Sequence, residues 1–364
     1  MKIFTVVGAR PQFIKAAAVS RAISRHNQNH PIQTIQEVLV HTGQHYDSNM
    51  SKVFFEQMHI PEPNYHLEIG GLSHGAMTGR MLETIEEVIL NEKPDVVLVY
   101  GDTNSTIAGA LAAVKLHVPV AHVEAGLRSY NMRMPEEVNR ILTDQISRWL
   151  FCPTETAVKN LEREGIVDRG QALVSNVGDV MYDAALFYQK IAKPSNMITS
   201  LIDELRGSFY LATVHRAENT DDSVRLGNIM KALETISKTT PVVLPLHPRT
   251  CKLLGSQDML HVRVIEPVSY FDMINLLSKC KGVFTDSGGL QKEAYFFQKP
   301  CLTLRDETEW VELVQNGFNT LVEADFEHII DAEKKINLNK RDYSLQLYGQ
   351  GNASETIINQ LLEV

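Results

Sequence analysis

The chain alternates short β-branched runs with longer helical patterns almost from end to end. In the first half, the predicted strands are Ile3–Val7, Glu37–Thr42, Val96–Tyr100, Val118–Val123 and Trp149–Phe151, and the predicted helices are Pro11–Arg25, Ser48–Met58, His74–Leu90, Thr103–Leu116 and Glu136–Ser147. The run Val96–Tyr100 is apolar on both faces, as expected of a central parallel strand that helices cover on each side. This alternation predicts a doubly wound parallel sheet and the α/β fold class.

A second alternating series follows and predicts a second domain. Its strands are predicted at Tyr210–Val214, Val242–Leu246, Val262–Ile265, Gly282–Thr285, Cys301–Leu304 and Thr320–Val322, and its helices include Asp222–Ser237, Tyr270–Lys279, Gly289–Phe297 and Glu307–Gln315. A length of 364 residues suits two domains. We expect two Rossmann-like domains facing a cleft, over residues 1–175 and 176–345, with the crossover near Val174–Asp183. A final helix from about Gln346 to Leu362, within residues 346–364, is expected to pack back on the first domain.

Composition excludes several classes of function. Lys and Arg number 35 against 44 Asp and Glu, a formal charge of −9 with no basic tract, so neither nucleic acid nor an anionic membrane surface is an expected partner. The cysteines are scattered without a Cys-x-x-Cys pair, which predicts no disulfide framework, no zinc ribbon and a reducing cytoplasm. With no signal peptide, no apolar run of membrane-spanning length and no metal cluster, we expect a soluble cytoplasmic protein. Neither half has a Gly-x-Gly-x-x-Gly after its first strand, so nicotinamide and flavin are not expected and no cofactor is predicted.

Charged residues follow the first predicted strand. In Gly8-Ala9-Arg10-Pro11-Gln12-Phe13-Ile14-Lys15, Pro11 suits the first turn of a helix, and Arg10 and Lys15 bracket the positive N-terminus of that helix. Backbone donors, the helix dipole and two cations would converge there on a diphosphate. The alternative is that either cation pairs with a neighbouring carboxylate.

Three acidic residues are candidates for proton transfer. Asp102 follows Val96–Tyr100, and Glu124 ends the next strand in His122-Val123-Glu124-Ala125-Gly126-Leu127-Arg128, so both are expected at the same sheet edge. Glu136 opens a helix in Met134-Pro135-Glu136-Glu137. Alone, Asp102 would be read as a helix cap and Glu136 as compensation of a helix dipole. Together, crowded carboxylates push their pKa values apart, as one acid and one base require.

The second half offers a nucleotide site. His215-Arg216 follow a strand, where they could contact a phosphate or leaving group. In Thr285-Asp286-Ser287-Gly288-Gly289-Leu290-Gln291-Lys292-Glu293, a strand ends, two glycines allow close approach of a ligand, and a helix begins. Glu293 lies about one turn into that helix, where it could accept hydrogen bonds from a ribose diol. The alternative is an ordinary strand–helix loop.

Taken together, these motifs resemble the non-hydrolysing UDP-N-acetylglucosamine 2-epimerases. The resemblance is carried, in order along nearly the whole chain, by Gly8-x-Arg10-Pro11, Gly101-Asp102-Thr103, His122-x-Glu124-Ala125-Gly126-Leu127-Arg128, Pro135-Glu136-Glu137-x-Asn139-Arg140, His215-Arg216 and Thr285-Asp286-Ser287-Gly288-Gly289. It implies a two-domain glycosyltransferase-B-like fold, a UDP-sugar substrate and a homodimer.

The resemblance also implies a mechanism and a set of site residues. UDP would be eliminated across C1–C2 to give a glycal and added again with the proton on the other face, with no redox cofactor. The residues that match the acid/base positions are Asp102, Glu124 and Glu136, with His215 added to the catalytic set. The residues assigned to substrate binding are Arg10, Lys15, His45, Arg133, Arg140, Arg216, Val268, Met273, Ser287, Gly288, Gly289, Glu293 and Trp310.

Departures from the family pattern point to one branch. Gln12 stands where most members have Glu, and Thr308-Glu309-Trp310 stands where they have Thr-Glu-Arg. Gln44-His45 resemble the family's regulatory substrate site, but Gly70-Gly71-Leu72 do not match its remainder, so allosteric activation is not predicted. The pattern is similar to that of the enzymes acting on UDP-2,3-diacetamido-2,3-dideoxyglucuronate for surface polysaccharides. Arg133, next to Glu136, would then bind the C6 carboxylate in a bidentate pair; the alternative is an exposed loop arginine.

Three other functions compete with this interpretation. The first is the same epimerisation of plain UDP-N-acetylglucosamine. The second is a glycosyltransferase on the same fold, which would not require the three acids of the first domain. The third is a catalytically silent nucleotide-sugar sensor, against which the intact acids argue.

Overall fold

The structure is a computed structural model that describes residues 1–44, 55, 60–246, 260–336, 338 and 340–363. Its strands are β1 (Lys2–Val7), β2 (Gln36–His41), β3 (Tyr65–His66), β4 (Val96–Tyr100), β5 (Val120–Val123), β6 (Trp149–Cys152), β7 (Leu173–Asn176), β8 (Tyr210–Thr213), β9 (Val242–Pro245), β10 (Arg263–Ile265), β11 (Gly282–Thr285), β12 (Cys301–Thr303) and β13 (Asn319–Leu321). Its helices are α1 (Arg10–Asn29), α2 (His74–Glu92), α3 (Asn104–Lys115), α4 (Pro135–Ile146), α5 (Glu155–Arg163), α6 (Val180–Ile191), α7 (Asn196–Leu205), α8 (Ala217–Thr220), α9 (Ser223–Ser237), α10 (Tyr270–Lys279), α11 (Gly288–Phe296), α12 (Val311–Gln315), α13 (Phe326–Ile336) and α14 (Ala353–Leu362).

The strands form two parallel sheets in two compact units. The first unit, Met1–Ala184 with Gln346–Val364, holds a sheet in the order β3-β2-β1-β4-β5-β6-β7. The second unit, Ala185–Leu345, holds a sheet in the order β10-β9-β8-β11-β12-β13. Every strand pair between the described residues is parallel. The predicted α/β class with two doubly wound sheets is therefore confirmed.

Each sheet is buried on both faces, which explains its apolar strands. In β8, Tyr210 and Ala212 join one hydrophobic cluster while Leu211 joins another, because successive side chains point to opposite faces. All five residues of β4 are buried. Burying each Val, Leu or Ile side chain of such a strand contributes about 1.5–3 kcal/mol.

The last helix belongs to the first unit. α14 packs on α1, where Glu355 pairs with Arg25. Asp183 accepts hydrogen bonds from the Ala353 and Ser354 amides at 3.1 and 2.7 Å and so caps α14. A side-chain hydrogen bond of 2.8 Å joins Ser175, on β7, to Gln360.

Two predicted helices begin later in the structure than the sequence suggests. The segment expected to be helical from Gln346 becomes helical only at Ala353, because Gly349 and Gly351 adopt φ of 82° and 81°, which helical backbone excludes. The helix predicted over Glu307–Gln315 is limited to Val311–Gln315. Just before it, Thr308 Oγ1 accepts from the Trp310 amide and bonds to Gln291, and these contacts compete with helical hydrogen bonds.

Three of the four cysteines lie within the described residues. Cys152, Cys280 and Cys301 are buried thiols outside any disulfide, and burial raises the pKa of each. Cys251 and most of the predicted helix Ser48–Met58 lie outside the described residues. Within the described part of the chain, no helix is both long enough and apolar enough to cross a bilayer.

Candidate active site

Each sheet reverses its strand order at one point. The reversal falls between β1 and β4 in the first sheet and between β8 and β11 in the second. In open parallel sheets, ligands bind beyond the carboxyl ends of the strands at such points, because the connections there leave on opposite faces and open a crevice. Asp102 follows β4 and His215 follows β8, so predicted catalytic residues lie beside both reversals.

Gln12 ties together the two loops at the first reversal. Its Oε1 accepts from the amides of Gly8 and Ala9 at 2.8 and 3.1 Å, and its Nε2 donates to the Tyr100 carbonyl at 2.6 Å. Only 2% of Gln12 is exposed. Its amide is therefore committed to contacts within the protein, and Gln12 has a bracing role.

Asp102 lies in a concentrated set of charges. Its Oδ2 is 2.5 Å from Nη2 of Arg140, and its carbonyl accepts from the Asn139 side chain at 3.0 Å. Burial raises the pKa of Asp102, Arg140 opposes that rise, and the charges of Glu124 and Glu136 add to it. The structure thus brings the three predicted acids into electrostatic reach of one another.

Glu124 is held in an unusual backbone conformation. Its φ is 71°, a left-handed value that costs a residue other than glycine about 1–3 kcal/mol and that clusters at functional sites. Its carboxylate pairs with Nζ of Lys15, and both residues are 8% exposed. Lys15, predicted to bind a diphosphate, is thus paired with a neighbouring carboxylate, the alternative left open by the sequence.

Helix α4 presents charged residues at successive turns. Glu136 lies in its exposed first turn, and Arg140 lies one turn later, buried and paired with Asp102 and Glu137. Glu137 accepts hydrogen bonds from the amides of Ser129 and Tyr130, at 2.9 and 2.8 Å, and so fixes the loop before the helix. On that loop, Arg133 is exposed. Arg10, at the start of α1, is partly buried.

Asp286 ties together the two loops at the second reversal. Its side chain is fully buried and accepts from the amides of His215 and Arg216, each at 3.0 Å, and from Asn219 Nδ2 at 3.2 Å. Nδ1 of His215 is 3.2 Å from Oδ1 of Asp286, while 57% of the His215 side chain is exposed. The carboxylate therefore anchors the turn and leaves the imidazole accessible.

The N-terminus of α11 has the form of a ligand-binding turn. Ser287 caps it by accepting from the Leu290 amide at 3.4 Å. A Cβ added at Gly288 would lie 2.6 Å from Oε1 of Glu309, whereas one added at Gly289 would meet nothing within 4 Å. Gly288 thus allows Glu309 to approach, and Gly289 leaves open space in front of the helix.

The other residues predicted to bind substrate in the second unit lie near that turn or pack against the hydrophobic core of the unit. The Trp310 ring, 4% exposed, lies with its centroid 4.0 Å from Nζ of Lys292. Glu293 accepts from the Tyr270 hydroxyl at 3.0 Å. Val268 and Met273 are partly buried against the hydrophobic cluster on one face of the second sheet. His45 lies outside the described residues.

Three residues with clear roles were quoted within motifs but not predicted as site residues. Gln12, His122 and Asp286 each bond to the backbone of a loop that carries a predicted catalytic residue. Their places within the motifs were visible in the sequence, but their bonding partners are 88, 21 and 71 residues away and could not be read from it.

The first unit therefore holds chemistry suited to proton transfer. Its carboxylates differ in environment, one paired with a lysine and one with an arginine, which is the condition for separate acid and base roles. In the described part of the chain, no cluster of three or more His, Cys, Asp or Glu is arranged to hold a metal.

Comparison with known proteins gives consistent matches. A family model described as UDP-N-acetylglucosamine 2-epimerase matches residues 27–362. The chain is 56% identical to the UDP-2,3-diacetamido-2,3-dideoxy-D-glucuronate 2-epimerase of Pseudomonas aeruginosa, over 100% of both chains. It is 50% identical to a UDP-N-acetylglucosamine 2-epimerase homolog of Methanococcus maripaludis, over 99% of both. Its structure is similar to a crystal structure of the Methanocaldococcus jannaschii UDP-GlcNAc 2-epimerase in complex with UDP-GlcNAc and UDP, with a TM-score of 0.88, 41% identity and 100% coverage of both chains.

Proposed function

Since the chain belongs to the UDP-N-acetylglucosamine 2-epimerase family, we propose that it converts UDP-2,3-diacetamido-2,3-dideoxy-D-glucuronate to the D-mannuronate epimer. Members of this family are isomerases, and the chain is one of them. The single observation that carries the choice of substrate is the 56% identity, over both full lengths, to the Pseudomonas aeruginosa enzyme named for that sugar.

The reaction needs a route around an unreactive hydrogen. The C2 hydrogen beside an acetamido group is not appreciably acidic, so direct deprotonation would be slow. In the proposed route, the bond from C1 to the UDP oxygen breaks as a base removes the C2 proton, and a C1=C2 glycal and UDP form. UDP then adds back to C1 while an acid delivers a proton to the opposite face of C2. No electron acceptor is consumed, so atoms and charge balance without a redox cofactor.

We assign the proton transfers to Asp102, Glu124 and Glu136. The ion pair of Glu124 with Lys15 favours the carboxylate form, which suits a base. Burial raises the pKa of Asp102, although Arg140 opposes the rise. A carboxyl group with a raised pKa is protonated more readily, which suits an acid. Glu136, exposed at the start of α4, is the third candidate.

We assign UDP to the second unit, beside the turn that Asp286 anchors. Exposed His215, with Arg216, would contact the diphosphate, and the open N-terminus of α11 would favour its negative charge. The residues proposed to complete the nucleotide site are Ser287, Gly288, Gly289, Glu293, Val268 and Met273. Arg10 and His45 are proposed as further diphosphate and sugar contacts.

Specificity for the uronate is assigned to two residues. Arg133 is an exposed guanidinium three residues before Glu136, so it is available to form a bidentate pair with a C6 carboxylate. Trp310 is buried beside the Gly288 turn, with its ring nitrogen 3.7 Å from the position of an added Cβ there, so it would act on specificity by shaping that turn. We further propose a cytoplasmic homodimer that supplies surface polysaccharide synthesis.

The test is to offer the purified protein each of two substrates in D2O and follow the sugar protons by NMR. We expect UDP-2,3-diacetamido-2,3-dideoxy-D-glucuronate to give its C2 epimer with deuterium at C2, and UDP-N-acetylglucosamine to react at least about 100-fold more slowly, as the loss of a bidentate charged contact predicts. The Arg133→Ala variant should raise KM for the uronate and leave that for the plain sugar unchanged.

Three outcomes would count against parts of this proposal. Faster turnover of UDP-N-acetylglucosamine would keep the reaction but overturn the assignment of substrate. An unchanged uronate KM in Arg133→Ala would exclude Arg133 as the carboxylate contact. Binding of UDP without turnover of either sugar would overturn the proposed activity and favour a nucleotide-sugar sensor.

A further inference from the structure

Behind the predicted acids lies a buried hydrogen-bond chain that starts at His122. This residue is on β5 and is 0% exposed. Its Nε2 lies 2.7 Å from the carbonyl oxygen of Gly101, the residue just before Asp102. Its Nδ1 lies 2.7 Å from Oδ1 of Asp144, near the end of α4.

Asp144 connects that chain to the second loop. Its Oδ2 accepts from the amide of Gly126, two residues after Glu124, at 3.2 Å and from Nη1 of Arg128 at 2.7 Å. One oxygen of Asp144 therefore reaches the Asp102 loop through His122, and the other holds the Glu124 loop directly. Since Gly126 has φ of 79° and an added Cβ would lie 2.5 Å from the Ala157 carbonyl oxygen, this loop has a single tight path.

Both ring nitrogens of His122 have a partner. Nε2 faces the Gly101 carbonyl oxygen and Nδ1 faces the Asp144 carboxylate, so the ring joins the Asp102 loop to Asp144. Although burial acts to raise the pKa of Asp144, the hydrogen bond and charge of His122, together with Arg128, bring it below its ordinary value. Asp144 is thus a buried carboxylate held between His122 and Arg128.

Helix α4 also contacts Asp102 through two further side chains. Arg140 pairs with the Asp102 carboxylate, and Asn139 donates to the Asp102 carbonyl. Arg140 and Asp144 are four residues apart and share one face of α4. Movement of α4 against the sheet would therefore displace Asp102 and Glu124 together.

We propose that Asp144, through His122 to Gly101 and directly to Gly126, is a positioning residue that sets the distance between Asp102 and Glu124. The inference rests on the proposed function, because this distance matters to catalysis only where both carboxylates exchange protons with the sugar. A displacement of about 1 Å at such groups costs roughly 100-fold in rate.

Two substitutions at His122 separate its two hydrogen bonds. In His122→Asn, the amide nitrogen takes the place of Nδ1, keeps the bond to Asp144 and loses the bond to Gly101. In His122→Gln, the amide nitrogen takes the place of Nε2, keeps the Gly101 bond and loses Asp144. We expect both variants to lower kcat for uronate epimerisation about 10- to 100-fold with KM within about 3-fold, because each breaks the path from Asp144 to Gly101 at one of its two hydrogen bonds.

Asp144→Asn and a matched control complete the series. Asp144→Asn alters both loops, so its kcat should fall at least as far as that of His122→Asn. Glu164 binds the same Arg128, with its two oxygens 2.6 and 2.7 Å from the guanidinium, but in the described contacts its side chain bonds to neither Gly101 nor Gly126, the backbone groups on which the proposal depends. Glu164→Gln should therefore lower thermal stability and leave kcat within about 2-fold.

Equal losses of kcat in His122→Asn, His122→Gln and Glu164→Gln would overturn the proposal, as would a change in KM alone. If the variants do not fold, 15N NMR of histidine-labelled wild-type protein decides, because the proposal requires a hydrogen bond at each ring nitrogen of His122. A ring nitrogen without a hydrogen bond would contradict it. Absence of turnover by the wild type would instead count against the proposed function, and the NMR signature would still test the hydrogen bonds.

Discussion

The two best-placed carboxylates of the first unit differ in their cationic partner. Glu124 is paired with Lys15, while Asp102 shares Arg140 with Glu137. A lysine is a compact charge that a substrate phosphate could draw away, whereas the buried guanidinium is fixed by two carboxylates. At the scale of residues, Arg140 is therefore the group that adjusts the pKa of Asp102.

Replacement of Arg140 gives a prediction with a definite sign. Arg140 lowers the pKa of Asp102 against the rise caused by burial, so Arg140→Gln should raise that pKa further. Whichever limb of the kcat/KM profile against pH reports Asp102 should move to higher pH. Arg148→Gln removes the same charge from an exposed site before β6, at the opposite end of the strands, and should leave the profile in place. A limb that stays fixed or moves to lower pH in Arg140→Gln would contradict the tuning role.

At the scale of elements, strand-end loops are braced in pairs. Gln12 joins the loops after β1 and β4, and Asp286 joins those after β8 and β11. In both units the brace is buried and bonds to backbone amides, so it fixes the loops at the carboxyl ends of the strands.

Removal of the first brace should cost stability. Gln12→Leu leaves the amides of Gly8 and Ala9 and the Tyr100 carbonyl without their partner, and we expect the free energy of unfolding to fall by about 2 kcal/mol or more. Urea unfolding followed by circular dichroism measures it. Gln28→Leu makes the same replacement at an exposed position of α1 and should change stability by less than about 0.5 kcal/mol. Equal stability of Gln12→Leu and the wild type would exclude the bracing role.

The bounds of a helix or strand could be predicted where one local sequence signal marked its ends. β4 and α10 have the predicted bounds, because an unbroken apolar run and a Ser269 cap mark their ends. The sequence missed β3, which has two residues, and β7, an edge strand whose residues are only partly buried or exposed. It also extended the last helix across Gly349 and Gly351, because a glycine's left-handed conformation is set by tertiary contacts that the sequence does not display.

At the scale of the whole molecule, the sequence indicates which charged residues gather at one sheet edge but not which partners hold them. Asp102 and Glu124 could be predicted because parallel strands deliver their ends to one edge. Lys15 could be assigned to a ligand or to a carboxylate, and only the fold brings it to Glu124, 109 residues away. The role of Asp144 likewise could not be predicted, because the sequence does not show its contacts with His122, Gly126 and Arg128.

The central claim is that UDP leaves the sugar during epimerisation, and positional isotope exchange tests it most directly. UDP-2,3-diacetamido-2,3-dideoxy-D-glucuronate would carry 18O in the oxygen that bridges C1 and the β-phosphorus, and 31P NMR would follow the label in the presence of the enzyme. We predict that the label passes to non-bridging β-phosphate positions as the epimer forms, because the phosphate of released UDP rotates before it adds back. An epimer that gains deuterium at C2 while every label stays in the bridge would contradict this prediction, because a C1–O bond that breaks frees the β-phosphate to rotate.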